Sequence, residues 1–490
     1  MNTSDVLWVA SLLVGAWLVC GCAAAATDAS VVNPHVSTDK SVDCSTADRI
    51  LRDLVKDDMT DEQKVLACFH WIRRVLYHGD GPRELAYNTH AMLNVLGNGS
   101  CLRQTSQLAL LLQRLGYKCH SWVHHGHHMI QVFYGGKWHC LDPHMNFYCY
   151  DRSTPRTIAS IEQLRADETL AVKAVEEGRA GPGYLLCGDS PKMFAGTSGW
   201  RLEFKGGWPK LTVDEPFGNI TLRRGETYVR TWMPGEHYFR RAWGRDSGPF
   251  HTCQSRDRKD TVNWPLYEPH AWKGRIYRHW GAGRIEYKPD IANGHYRDAV
   301  VGESNIAIKR RGGTAFLDQA DVGKPAEVVF AVNCPYVMTA GELRFARALG
   351  GTVTAAVSID EGATFKPVAL KADGERMAAL FVDEINGSFS GYRLKLILAG
   401  GAAVGKLELV SHFQLNPYSL PHLVPGKNVV KVEADACDSP LTVTYNWSEG
   451  PGWETPKTAG KTFTENGEFE IEVAGPKWPR MGSLVLSVAP

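Results

Sequence analysis

Two stretches decide how this chain of 490 residues is read: GNGSCLRQTSQLALLLQRLGY over 97–117 and GHHMIQVFYGGKWHCLDP over 126–143. In the first, Gly97, Asn98 and Gly99 break whatever precedes them, and Ser100 can cap the next helix. Leu108, Leu111, Leu112 and Leu115 then recur at helical spacing, and Gly116 supplies a stop. The spacing predicts a helix that starts at Cys101. A thiol in the first turn meets free backbone N–H groups and the positive end of the helix dipole, both of which favour a thiolate. Cys68 makes the contrast. It falls mid-helix among Val65, Phe69, Ile72 and Leu76, the pattern of a buried structural cysteine.

The second stretch predicts a β-hairpin. MIQVFY is rich in strand formers, Gly135-Gly136 makes a tight turn, and KWHCLD returns. Alternation puts His127, Met129, Gln131 and Phe133 on one face, with His128, Ile130 and Val132 on the other. Asp142 ends the returning strand, so its carboxylate can hold one nitrogen of His127 while the other faces the thiol. Cys101, His127 and Asp142 are the candidate nucleophile, base and orienting acid.

In that order the residues resemble the transglutaminase-like superfamily of papain-type cysteine enzymes. Its members share a Gly-x-Cys helix start, a His that opens a strand, and a Trp-x-x-x-Asp-Pro ending. Here these read Gly99-Ser100-Cys101, His127 through Gln131-Val132-Phe133, and Trp138 through Asp142-Pro143. The likeness covers roughly residues 45 to 150. Met129 and Gln131 stand where many members have Trp and Glu, which puts substrate positioning in question. The resemblance implies an α+β chain, with a papain/transglutaminase-like N-terminal domain ahead of all-β, sandwich-like C-terminal domains. It also favours His127 over His128 as the base, and it calls for no cofactor. The wider cluster His120, His124, His125, His127 and His128 invites a metal reading, but adjacent strand histidines point to opposite faces. No Cys-x-x-Cys or His-Glu-x-x-His accompanies them, so no metal is expected.

Upstream, Thr60-Asp61-Glu62-Gln63 has the form of a capping box, and the Val65, Phe69, Ile72 and Leu76 stripe comes after it. A weaker helix is expected over Ala47 to Val55. Downstream of about residue 190 the pattern turns to strands. Trp200, Trp208, Trp232, Trp243, Trp264, Trp272 and Trp280 crowd one stretch and read as core of an irregular β domain, with a glycan- or peptide-binding groove as the other reading. Ser247 in WGRDSGPF has a serine-protease-like context but lacks ordered His and Asp partners. Evenly spaced strands from Gly302 to Leu423 predict a β-sandwich. Within it, Ser358 to Phe365 resembles the Asp-box hairpin of sialidases, a turn-stabilising element. The expected division is a leader over 1–22, a catalytic domain over 40–190, a Trp-rich β domain over 191–300, a sandwich over 301–425 and a small all-β module over 426–490.

Val6 to Val19 is apolar but short for a span of about 20 residues. Val19-Cys20-Gly21-Cys22 resembles a bacterial lipobox, which would make Cys22 a lipid anchor. Cleavage in the alanine run and an uncleaved anchor are the other readings, and each places the body outside the cytoplasm. Setting aside Cys20, Cys22 and Cys101 leaves an odd number of cysteines. Cys119 and Cys140, on what read as neighbouring strands, are the first pair to test for a bridge. A net charge of +1 with interspersed signs gives no nucleic-acid footprint. The leading expectation is an exported cysteine enzyme that cleaves or transfers amide bonds of a peptide or protein, hydrolysis being favoured over cross-linking. The alternative is an inactive papain-like domain beside β-modules that hold a carbohydrate or surface polymer. A glycosidase is third, because no carboxylate pair stands out.

Overall fold

The computed structural model describes residues 30–78, 85, 87–124, 126–167, 169–181, 200–203, 211–239, 250–252, 270–272, 275–347 and 350–490. The expected leader with Cys22, and likewise His125, Trp208, Trp243, Ser247 and Trp264, lie outside them. Strands β1 (Ser30–Val32) and β2 (His35–Thr38) come first. Helix α1 (Ala47–Leu54) starts on Thr46, whose hydroxyl accepts the Arg49 N–H at 3.0 Å. Helix α2 (Asp61–Val75) carries both halves of the expected capping box: Thr60 accepts from the Gln63 N–H, and the Gln63 carboxamide accepts from the Thr60 N–H. Its buried stripe of Val65, Cys68, Phe69 and Ile72 meets Leu108, Leu111 and Leu112 of α3 (Cys101–Arg114).

Behind these helices lies an antiparallel sheet of β3 (Lys118–His124), β4 (His127–Tyr134), β5 (Lys137–Leu141) and β6 (Trp200–Glu203), in the order β5-β4-β3-β6. Gly135 and Gly136 both take positive φ, 55° and 80°, as the two-residue hairpin turn between β4 and β5 requires. Ile130 and Val132 of β4 pack toward α2 and α3. Met129 and Cys140 pack on the opposite side, with Ile161 and Leu164 of α4 (Ile161–Ala166).

The rest is a β framework. Its strands are β7 (Thr221–Arg223), β8 (Glu226–Thr231), β9 (Gly281–Tyr287), β10 (Ala326–Arg347), β11 (Thr352–Ser358), β12 (Arg376–Phe381), β13 (Phe389–Ala399) and β14 (Val404–Leu415). They are followed by β15 (Gly426–Glu433), β16 (Leu441–Glu449), β17 (Thr455–Phe463), β18 (Gly467–Val473) and β19 (Arg480–Val488). One antiparallel path runs β11-β13-β10-β14-β9-β8-β19-β16-β17. Inward and outward residues alternate strictly along β16, where Leu441, Val443, Tyr445 and Trp447 are buried. Trp232 and Trp280 are buried in the framework's core.

The two ends of the chain meet in this framework. β1 pairs with β7 and with Ala436–Cys437, and β2 pairs with β15, which in turn pairs with β18. Pairing of β8 with β9 and β19, and of β9 with β14, carries the sheet across the expected boundaries near residues 301 and 426.

The expected α+β class, with a papain/transglutaminase-like N-terminal domain, is therefore corrected. Among the described residues strands account for 47% and helix for 17%, in large antiparallel sheets. The helical signals are strong but local, and the N-terminal strands belong to the β framework. The Asp360 turn has the bonding its sequence predicts. Asp360 Oδ1 accepts the Thr364 N–H at 2.9 Å and the Ser358 hydroxyl at 2.6 Å, tying the end of β11 into its turn.

Candidate active site

Cys101 reaches its position through the segment before it. A π-helical turn, Ala91–Leu96, ends on Gly97 at φ 59°, and Asn98–Gly99 then pairs in parallel with Tyr77–His78. Gln104, fully buried, donates from Nε2 to the Gly99 carbonyl at 2.9 Å. The Ser100 carbonyl accepts the Gln104 N–H at 2.9 Å and closes the first turn of α3. The expected Ser100 side-chain cap is not made.

His127 opens β4, and its Nε2 lies 2.5 Å from Asp142 Oδ2. The Asp142 side chain is fully buried and that of His127 is 13% exposed. Asp142 is held in turn by the Met145 N–H on Oδ1 at 2.9 Å, and its backbone exchanges bonds of 2.8 and 3.0 Å with Phe147. The Cys101 side chain stands close enough to the same imidazole to raise its pKa. Because Asp142 occupies Nε2, Nδ1 is the ring nitrogen left for sulfur. Burial alone pulls the His127 pKa down. The Asp142 carboxylate and the Cys101 side chain outweigh burial and raise it to about 10. The structure thus brings Cys101, His127 and Asp142 together, with His127 and Asp142 hydrogen-bonded and Cys101 beside the ring.

The competing histidines are placed differently. His128 Nδ1 faces the Ser121 hydroxyl at 3.1 Å, and burial together with the neighbouring His127 lowers its pKa. Gln131 donates to His120 Nε2 at 3.1 Å and accepts the Ile161 N–H at 3.0 Å, so it fastens β4 to the start of α4. Met129 is core on the same side. The two departures from the family pattern are thus built-in packing positions. His144, which no motif in the sequence singles out, sets its ring 5.4 Å from that of His127 at 62°.

The proposed Cys119–Cys140 bridge is corrected. β4 lies between their strands, and the two thiols pack on opposite sides of the sheet. All described cysteines are free. Burial pushes the Cys68 thiol up to about 12, in keeping with its mid-helix place, whereas Cys101 is half-buried.

Sequence reasoning missed the residues that hold the Cys101 segment from outside. Asn416, just past β14, donates its backbone N–H to the Asn94 carbonyl at 2.8 Å. Its Nδ2 donates to the carbonyls of Leu93 at 2.6 Å and Val75 at 3.2 Å. Trp280 Nε1 donates to the Leu96 carbonyl at 2.8 Å. These bonds satisfy carbonyls at the ends of the turn and of α2. A Cβ on Gly97 would stand 2.8 Å from Asn416 Cγ, so the close approach needs glycine as much as the positive φ does. His90, pushed down to about 4 by burial despite its bond to the Pro335 carbonyl, is neutral and donates from Nε2 at 2.5 Å.

No protein-family profile and no curated protein matches this chain. Among solved structures, the pilus backbone RrgB of Streptococcus pneumoniae is similar at 9% identity and a TM-score of 0.13, over 34% of this chain and 43% of that one. The chain thus spans less than half of that protein. The collagen-binding domain of Erysipelothrix rhusiopathiae surface protein RspB is similar at 9% identity and a TM-score of 0.12, over 51% of this chain and 89% of that domain. Likenesses this faint carry no argument. Among the described residues no helix is long and apolar enough to cross a membrane.

Proposed function

We propose that the protein is a cysteine enzyme that cleaves or transfers amide bonds of a peptide or protein substrate. The observation that carries this reading is the series Cys101 thiol, His127 imidazole and Asp142 carboxylate, with the thiol on the first residue of α3. With its pKa raised to about 10, His127 holds the proton near neutral pH as the partner of a Cys101 thiolate, and Sγ bonds to the amide carbonyl carbon. Collapse of the tetrahedral adduct breaks the C–N bond, and the imidazolium returns its proton to the leaving amine. Water, or a second amine, then resolves the acyl-thioester with His127 again as base. N–H groups of the α3 first turn face the developing oxyanion. Asp142 holds the ring and stabilises the imidazolium. The ordered resemblance to transglutaminase-like enzymes supports the same chemistry, and the apolar leader supports export of the chain.

Iodoacetamide alkylation near neutral pH, mapped by peptide mass, tests the reading. Cys101 is expected to label far faster than Cys68 or Cys119, and His127→Ala is expected to abolish that preference. Cys101 labelling no faster than the buried thiols in the wild type would sink the proposal in favour of an inert domain.

A further inference from the structure

We propose that Arg230 is the anion-binding end of a second ligand site, between the β framework and the helical region, that takes the carboxylate of a small organic acid. Tyr228 and Arg230 alternate onto one side of β8, and the guanidinium lies 5.1 Å over the Tyr228 ring. Arg230 Nε and Nη2 are both buried and have no hydrogen-bond partner among the described residues. Arginine does not shed its proton in a protein, so this edge of the half-buried guanidinium presents two buried N–H donors with no acceptor among the described residues. Buried donors left unmet are costly, and an anion seated against this edge would meet both.

The surroundings are built for a guest. Arg230 lines a cavity of about 60 Å³ together with Asn94, Tyr228, Tyr336, Ser45 and Ser419. Asp43 is also in the wall, but its oxygens are committed elsewhere. Oδ2 meets His35 at 3.0 Å and Arg49 at 3.1 Å, and Oδ1 accepts the Ser45 N–H at 3.1 Å and hydroxyl at 2.7 Å. A second cavity of about 260 Å³ shares Pro34, His35, Ser45, Phe217 and Gly218 with the first, and adds the amides of Asn33, Asn219 and Asn466 beside the charged Arg49, Glu433 and Asp435. Together they form an inner chamber at the guanidinium and a larger polar chamber behind it.

The two free nitrogens select the ligand. Nε and Nη2 form the side-on edge of the guanidinium, whose parallel N–H groups match the two oxygens of a carboxylate. The inner chamber admits a small head group, and the two-oxygen match to the fork favours a planar carboxylate over a tetrahedral oxyanion. The polar outer chamber takes the rest of the acid. None of this depends on Cys101.

Thermal unfolding in a carboxylate-free buffer tests the site, with sodium acetate as probe and sodium phosphate and sodium chloride at matched ionic strength as references. Acetate should raise the wild-type Tm saturably, by about 2 °C or more beyond chloride. In Arg230→Met, which should fold at least as stably without ligand, acetate should act no differently from chloride. Calorimetric titration of wild type and Arg230→Lys with acetate gives a second measure, with affinity falling at least tenfold when the fork is lost. Equal acetate responses in wild type and Arg230→Met, or equal affinity in Arg230→Lys, would overturn the assignment. So would a wild-type response to phosphate that matches or exceeds that to acetate.

Discussion

The hairpin that carries His127 and the segment that delivers Cys101 are held by different parts of the chain. His127 and Asp142 are fixed by neighbours in sequence: β4 and β5 pair directly, and Met145 and Phe147 close the loop that cradles the carboxylate. Cys101 instead comes after a turn whose carbonyls are held by Trp280 and Asn416, with His90 fastened to Pro335. The hairpin half of the site should therefore be chemically sensitive but structurally self-sufficient. The Cys101 half should feel changes made far away in the β framework.

The largest effect is expected where the hairpin half meets the chemistry. Asp142→Asn keeps the shape of the side chain but removes the charge that supports an imidazolium. The turnover of any amide substrate found for the wild type should fall at least about a hundredfold, with the fold intact by circular dichroism. A folded variant that keeps more than a tenth of its turnover would leave Cys101 and His127 as a dyad and free Asp142 from the orienting role.

A smaller effect is expected from the framework side. Asn416→Ala removes two bonds to buried carbonyls and should cost about 3 kcal/mol in stability, measured by urea unfolding. It should also slow Cys101 alkylation several-fold at temperatures where the protein is folded, while leaving the His127–Asp142 contact in place. Unchanged alkylation in the folded variant would show that the two halves of the site are independent.

The smallest effect is a slope. His127 has an ordinary pKa of 6.5, raised to about 10 in the folded chain. Its stabilising contribution is thus complete below about pH 6.5 and is lost as pH climbs through 10. The wild-type Tm should decline across that window more steeply than that of Asp142→Asn, which lacks the raised pKa. Parallel curves would mean that the pair adds nothing to stability.

The sequence by itself determined the elements whose signals are local. The Thr60–Gln63 capping box, the start of α3 at Cys101, the Gly135-Gly136 hairpin and the Asp360 turn all depend on residues a few positions apart. The contact between His127 and Asp142 was legible for the same reason, since a hairpin of known register brings its ends together. Ser100 was misread because a residue able to cap a helix need not point its hydroxyl at the turn. Cys119 and Cys140 do not meet because a meander puts β4 between their strands and the pleat turns the two thiols to opposite faces. Only the tertiary structure decided how the framework is assembled: β1 and β2 pair with strands from far along the chain, and Asn416 reaches a carbonyl 323 residues away. Such partners leave no spacing to read. A strand edge or a bare carbonyl accepts any chain that presents a matching backbone or amide, and which one arrives is set by how all the apolar faces are buried at once.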